Sequence, residues 1–201
     1  LPGTVSVAAP QAGGPEAGAP PGVSTEWLAG RLADTALVIL DARPGLRDYL
    51  ASHIPGAQSL GVENIRSSAA GVPGQIFPAE VLSLVARRLG IRPDSHVVVY
   101  GAENDPDASF VAGVFRLAGL GAVSVLDGGF KRWSQEGRPT TAERRPVNES
   151  GLRLKGTDAG LASLADVRRA VKEGGAVLVD ARPPEQYEAG RIPGAVSRFW
   201  K

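Results

Sequence analysis

The pattern Asp41-Ala42-Arg43-Pro44, then Tyr49, then His53-Ile54-Pro55-Gly56-Ala57 occurs twice in this chain. Its second occurrence reads Asp180-Ala181-Arg182-Pro183, Tyr187 and Arg191-Ile192-Pro193-Gly194-Ala195. The two aspartates are 139 positions apart, and the interval from aspartate to tyrosine differs by one residue. A repeat of that order and composition implies two copies of one structural unit. Each copy follows an uninterrupted apolar run, Leu37-Val38-Ile39-Leu40 in the first and Ala176-Val177-Leu178-Val179 in the second. Short apolar runs that end at a polar residue predict strands buried on both faces.

The first copy has a long sequel. Ser24 is placed to cap a short helix carrying Trp27 and Leu28, ahead of the Leu37 strand. A short strand is expected near Ala57–Leu60, and Pro78-Ala79-Glu80 opens a helix that Gly90 closes. Val97-Val98-Val99-Tyr100 reads as the clearest strand. The loop 101–108 follows it, then a helix from about Ser109 to Ala118. Val123–Leu126 is a further strand, entering Asp127-Gly128-Gly129 and a helix with Phe130 and Trp133. In the second copy Ser163-Leu164-Ala165-Asp166 has the form of a capping box. Strands alternating with helices predict an α/β fold: an open parallel sheet flanked by helices on both faces. The repeat then makes one complete unit plus the first part of a second. The boundaries expected are a flexible Pro/Gly/Ala-rich leader at 1–22, a first domain at 23–139, a polar linker at 140–160, and the start of a second domain at 161–201.

Composition narrows the chemistry. There is no cysteine, so disulfides, thiolate metal sites and cysteine nucleophiles are excluded for these residues. His53 and His96 are the two histidines, which excludes a histidine-rich metal site. No metal and no cofactor is implied. A net charge of +1 gives no reason to expect nucleic acid, and no apolar run approaches the roughly 20 residues of a membrane span. The sequence opens on Leu1 and has no Met, which a processed leader, a cleaved tag or a trimmed sequence would each explain. The compartment is left open by the sequence: the cytoplasm, or the periplasm or exterior if the leader follows a cleaved signal peptide.

Four motifs in order then resemble a known family. They are Asp41-Ala42-Arg43, His53-Ile54-Pro55-Gly56-Ala57, Val97–Tyr100, and Val125-Leu126-Asp127-Gly128-Gly129-Phe130 with Trp133. Together they are similar to the rhodanese-like sulfurtransferases in their tandem form. The resemblance implies a cysteine directly after the strand equivalent to Val97–Tyr100. That residue would carry a persulfide between a small anionic donor, thiosulfate or 3-mercaptopyruvate, and cyanide or a thiol. Tandem members usually keep it in the second unit alone. Here Gly101 stands at the position in the first unit, and the loop that follows carries Glu103, Asp105 and Asp107 with no basic residue. Acidic neighbours raise a thiol's pKa and repel an anion. The first unit is therefore expected to be non-catalytic. In the second unit the cysteine loop is expected on sequence absent from this chain, either as its continuation or as a separate fragment that docks on it.

The resemblance also marks Asp180 and Arg182 as substrate-binding candidates, because the family places substrate contacts near that strand end. The competing reading for Asp41–Arg43 and Asp180–Arg182 alike is a structural ion pair that fixes the loop. Many family members carry an anion-contacting arginine just ahead of the tyrosine, where Gln186 stands here; in the first copy Arg47 lies two before Tyr49. His53 is read as structural, since its counterpart is Arg191. The rival function is a non-enzymatic binding or regulatory module.

Overall fold

The computed structural model describes residues 19–69, 71–103, 105–156 and 160–199. They form two compact units that separate at Gly160. The first begins with β1 (Gly22–Val23), α1 (Thr25–Ala29), β2 (Leu37–Asp41), α2 (Leu46–Ala51) and β3 (Gln58–Ser59). A hairpin follows, β4 (Arg66–Ala69) and β5 (Val72–Ile76), then α3 (Ala79–Arg88) and β6 (His96–Tyr100). The unit is completed by α4 (Pro106–Leu117), β7 (Val123–Leu126) and α5 (Gly129–Gln135).

Five strands make one sheet in the order β1-β7-β6-β2-β3. Every neighbouring pair is parallel. The expected open sheet with helices on both faces is thus the observed one. Strand alternation divides the core into two layers. Leu40, Val97, Val99 and Val123 pack with residues of α3 and α4, including Leu82, Val111 and Phe115. Ile39, Val98, Tyr100 and Leu126 pack on the other face with Leu28 of α1 and Trp133 of α5. Val97 to Tyr100 are fully enclosed. At roughly 1.5–3 kcal/mol for each large apolar side chain buried, β6 is the strand that most favours this layering.

Several boundaries differ from expectation for identifiable reasons. Gly22, the last residue of the expected leader, pairs with Val125, and the carbonyls of Pro20 and Pro21 accept from Ser124 and Val125. Residues 1–18 of that leader lie outside the described residues. α4 starts at Pro106, three residues earlier than its apolar pattern suggested, because Asp105 caps it and Pro106 fits the first turn. The β4–β5 hairpin was not foreseen: its residues are mostly exposed and show no apolar alternation.

Residues 140–156, expected as linker, contain no helix and no strand longer than one bridge, yet they run as a strap along the first unit. His53 and Thr141 exchange backbone hydrogen bonds of 2.8 and 2.9 Å. Further along, Arg87 donates to the Ser150 carbonyl at 3.0 Å, the Ser83 hydroxyl accepts from Leu154 N at 2.9 Å, and Leu152 is buried.

The second unit consists of α6 (Leu164–Glu173), β8 (Val179–Asp180), α7 (Pro184–Ala189) and β9 (Val196–Ser197). Ser163 and Asp166 form the expected capping box. The expected buried strand is not buried: Val177 and Val179 are 79% and 57% exposed, and β8 has two residues. β8 pairs with β9, and neither α6 nor α7 has a buried residue. With no second layer among its described residues, the apolar run has nothing to be buried by.

Glu136, at the end of α5, accepts from the Thr25 hydroxyl at 2.5 Å and from Arg138 and Arg132. These bonds, that from Thr25 first, hold its carboxyl down to about 2. A carboxylate with a lowered pKa adds stability above its ordinary pKa and loses it as pH falls towards the lowered value. Between about pH 4.5 and 2 the native chain should therefore lose more stability than Glu136→Gln, as read from urea unfolding midpoints across that range. Parallel curves for the two proteins would contradict this.

Candidate functional site

The repeated motif builds a clamp at the carboxyl end of β2. Asp41 is the last residue of the strand, and Arg43 folds back onto it two positions later, as the local spacing allows. The Arg43 amide and Nε reach Asp41 Oδ1 at 3.0 and 2.9 Å, and Nη2 reaches Oδ2 at 2.6 Å. Nη2 also donates to the Ser52 carbonyl at 2.7 Å, which ties down the far end of α2. From β6, the Tyr100 hydroxyl donates to Asp41 Oδ2 at 2.7 Å and accepts from Ile54 N at 3.3 Å. All three side chains are buried. Burial works against the Arg43 charge, but the bond to Asp41 and the Asp41 charge outweigh it and raise the guanidinium. Burial, then Asp41, push the Tyr100 phenol far above its ordinary value, so it remains a donor throughout the working pH range.

The second copy repeats this geometry. Arg182 N and Nε reach Asp180 Oδ1, both at 3.0 Å, Nη2 reaches Oδ2 at 2.6 Å, and Nη2 donates to the Gly190 carbonyl at 2.7 Å. Tyr49 and Tyr187 each donate to the carbonyl of the motif's closing alanine, Ala57 and Ala195, at 2.9 and 2.8 Å. Strand registers correspond as well: Asp41 pairs with Ser59, and Asp180 with Ser197. The clamp therefore fits the loop-fixing reading in both places. The two candidates nonetheless differ from the first pair in exposure, since the Arg182 side chain is 48% exposed against 8% for Arg43. The Arg182 hydrogen bond holds the Asp180 carboxyl below its ordinary range. Gln186 lies exposed on α7.

His53 is fully enclosed and stacked on Tyr49 at 4.1 Å between ring centroids. Its Nδ1 lies 2.7 Å from the Tyr49 carbonyl and its Nε2 3.2 Å from the Glu143 carbonyl. Both contacts fix backbone, one of them on the strap, which is a structural role. At the corresponding place the Arg191 guanidinium lies over Tyr187, 4.6 Å from its centroid.

Gly101 follows β6 directly. A Cβ there would stand 3.1 Å from Asp105 Oδ2 and 3.2 Å from Asp105 Cβ, so the capping aspartate fills the space a side chain would need. The Gly101 and Ala102 carbonyls accept from Phe130 N and Lys131 N in the first turn of α5. Gly129 has φ +56°, and a Cβ on it would meet those two carbonyl oxygens at 2.7 and 2.5 Å. Gly128-Gly129 is thus the tight strand-to-helix turn the sequence implied. Lys131, from outside the loop, pairs with Glu103 at 2.5 Å. Burial, then Asp105, raise the Asp107 carboxyl. Among the described residues no group of His, Asp and Glu is placed to hold a metal ion, and no helix is long and apolar enough to cross a membrane.

The model of the rhodanese-like domain matches residues 24–136 and 163–199. The chain belongs to the rhodanese-like domain family. Its relatives include the 3-mercaptopyruvate sulfurtransferase of Escherichia coli (strain K12), 28% identical over 198 residues that cover 89% of this chain and 70% of the relative. The thiosulfate sulfurtransferase of Gallus gallus is 32% identical, covering 87% and 68%. The sulfur carrier protein TtuD of Thermus thermophilus is 30% identical, covering 89% and 69%. Among solved structures, SseA from Escherichia coli, a 3-mercaptopyruvate sulfotransferase of rhodanese fold, superposes with a TM-score of 0.81 at 29% identity, over 89% of this chain and 74% of that one.

Two features of this rhodanese-like chain escaped the sequence reading. Tyr100 was read as a strand residue, although its register opposite Asp41 is what closes the clamp. Lys131 could have been found from its place in the helical turn that starts at Gly129. The Gly101 pocket predicts its own test. In a Gly101→Cys variant the thiol should titrate above the ordinary value of about 8.5, because the Asp105 carboxylate lies against that position. Its rate of alkylation against pH measures this, and a thiolate that reacts fully below pH 7 would refute the electrostatic reading.

Proposed function

We propose that this chain serves a sulfurtransferase that moves sulfane sulfur from thiosulfate or 3-mercaptopyruvate to cyanide or a thiol through a cysteine persulfide. The persulfide residue lies outside these 201 residues, which hold no cysteine. The first unit is a non-catalytic rhodanese-like domain, and residues 161–201 open a second unit of the same kind in tandem. One observation carries this reading: the second copy reproduces the clamp and strand register of the first while its apolar flanks stay uncovered. In the first unit the counterpart of β8 is flanked on its other side by β6. The surface exposed around Val177 and Val179 suits strands of the same unit, whether on the same polypeptide or on a separate fragment. Asp180 and Arg182 then stand at the strand end beside the expected persulfide loop, where Arg182 Nη1, the guanidinium nitrogen not used on Asp180 or on the Gly190 carbonyl, is left for an anionic donor.

The filled Gly101 pocket favours one alternative, a rhodanese-like binding module without catalysis. Transfer assays with thiosulfate and cyanide, and with 3-mercaptopyruvate and cyanide, separate the two when run on this chain and on the product of the whole reading frame. The chain alone should form no thiocyanate. The whole product should form it, and Arg182→Ala should lower kcat/KM for thiosulfate by about tenfold or more through loss of a charge-assisted contact. Thiocyanate from the pure chain would sink the argument from the missing nucleophile, and an inactive whole product would leave the binding module.

A further inference from the structure

A cleft of about 780 Å³ opens in the first unit beside the clamp, with Arg43, Arg88, Arg144 and Arg145 in its lining together with Ser59 and Asn64. No carboxylate lines it. Two of the four guanidinium groups have partners: Arg43 is paired with Asp41, and Arg88 lies 4.0 Å from Glu149. Arg144 and Arg145 make no ion pair and no side-chain hydrogen bond among the described residues, and Arg145 Nη1 lies 3.7 Å from where a Cβ on Gly56 would stand. Arg43 Nη1 makes no hydrogen bond among the described residues, and the guanidinium lies over the Phe130 ring, 3.9 Å from its centroid.

Chance side-chain excursions would not need a fixed backbone, and here the backbone is fixed. The strap is pinned before the arginine pair by the two bonds between His53 and Thr141, and after it by the bonds between Arg87 and Ser150. Like charges held in one cleft repel each other and focus a positive potential, which an anion from solution offsets. Planar guanidinium forks match tetrahedral oxyanions two bonds at a time. The exposed Leu46 and Val147 supply an apolar wall in the same cleft.

We propose that this cleft binds a dianionic tetrahedral oxyanion, either free or borne on a small organic molecule as a phosphate ester. The site is built from the strap, does not include the Gly101 loop, and stands whether or not the protein transfers sulfur. Titration calorimetry of the purified chain at matched ionic strength tests it, with inorganic phosphate, thiosulfate and phenyl phosphate as probes and chloride as control. The expected result is saturable binding of the dianions and none of chloride. In the double variant Arg144→Gln, Arg145→Gln the affinity should fall about tenfold or more, with unchanged far-UV dichroism and melting temperature in chloride. Tighter binding of phenyl phosphate assigns an organic ester as the source, and equal binding assigns the free ion; either upholds the site. Equal affinities in the native and variant chains, or heat that tracks ionic strength alone, would overturn it.

Discussion

The Asp41 carboxylate holds the first unit together at the end of the sheet where strands hand over to loops. It accepts from the Arg43 amide, from two nitrogens of the Arg43 guanidinium and from the Tyr100 hydroxyl. Through those donors it joins the ends of β2 and β6, the exit of α2 at Ser52 and the start of the Ile54-Pro55-Gly56-Ala57 turn. A buried charge without partners is costly, and removing one member of a buried pair typically costs about 3–5 kcal/mol. Here each carboxylate oxygen accepts at least two hydrogen bonds, so the network fixes one loop geometry and disfavours others. The polar groups are placed by the strands, and the strands are held in register by the polar groups.

The second copy separates what is local in this device from what is not. Asp180 and Arg182 form the same pair at the same distances, and Arg182 reaches the Gly190 carbonyl as Arg43 reaches that of Ser52. This happens without enclosure: Arg182 is half exposed and the neighbouring valines face outwards. The clamp is therefore encoded in the spacing Asp-x-Arg, the tyrosine and the closing turn. Tyr100 is the long-range addition that only a neighbouring parallel strand can supply. An exposed ion pair contributes ~0–1 kcal/mol, so the motif in the second unit shapes the chain more than it stabilises it.

That division accounts for how much could be read in advance. Leu37–Leu40 and Val97–Val99 announce strands because period and burial are written into consecutive residues, and Ser24 and Ser163 announce helix starts because capping acts over three residues. The hairpin Arg66–Ile76 escaped because its pairing is not reflected in an apolar pattern. The strap escaped because polar, aromatic-free sequence looks like linker until its carbonyls and amides are seen to meet His53, Ser83, Arg87 and Ala118. Asp180 and Arg182 were legible as a pair, but the difference in exposure from Asp41 and Arg43 was not, since it depends on what covers each strand.

The strap also sets the electrostatics of the sheet's carboxyl end, where open α/β folds usually take their ligands. At the end of β6 the Gly101 loop is acidic, with Glu103 partly offset by Lys131 and the Asp107 carboxyl raised by burial and by Asp105. Beside β2 and β3 the cleft is basic. The repeated motif does not cause that contrast, because the Arg43 charge is cancelled by Asp41 at 2.6 Å. The uncancelled charge is carried by Arg144 and Arg145, which the motif positions through His53 and the Thr141 bridge. A structural histidine thus becomes the link between fold and ligand preference: it has no chemistry of its own here, yet it decides where two arginines stand.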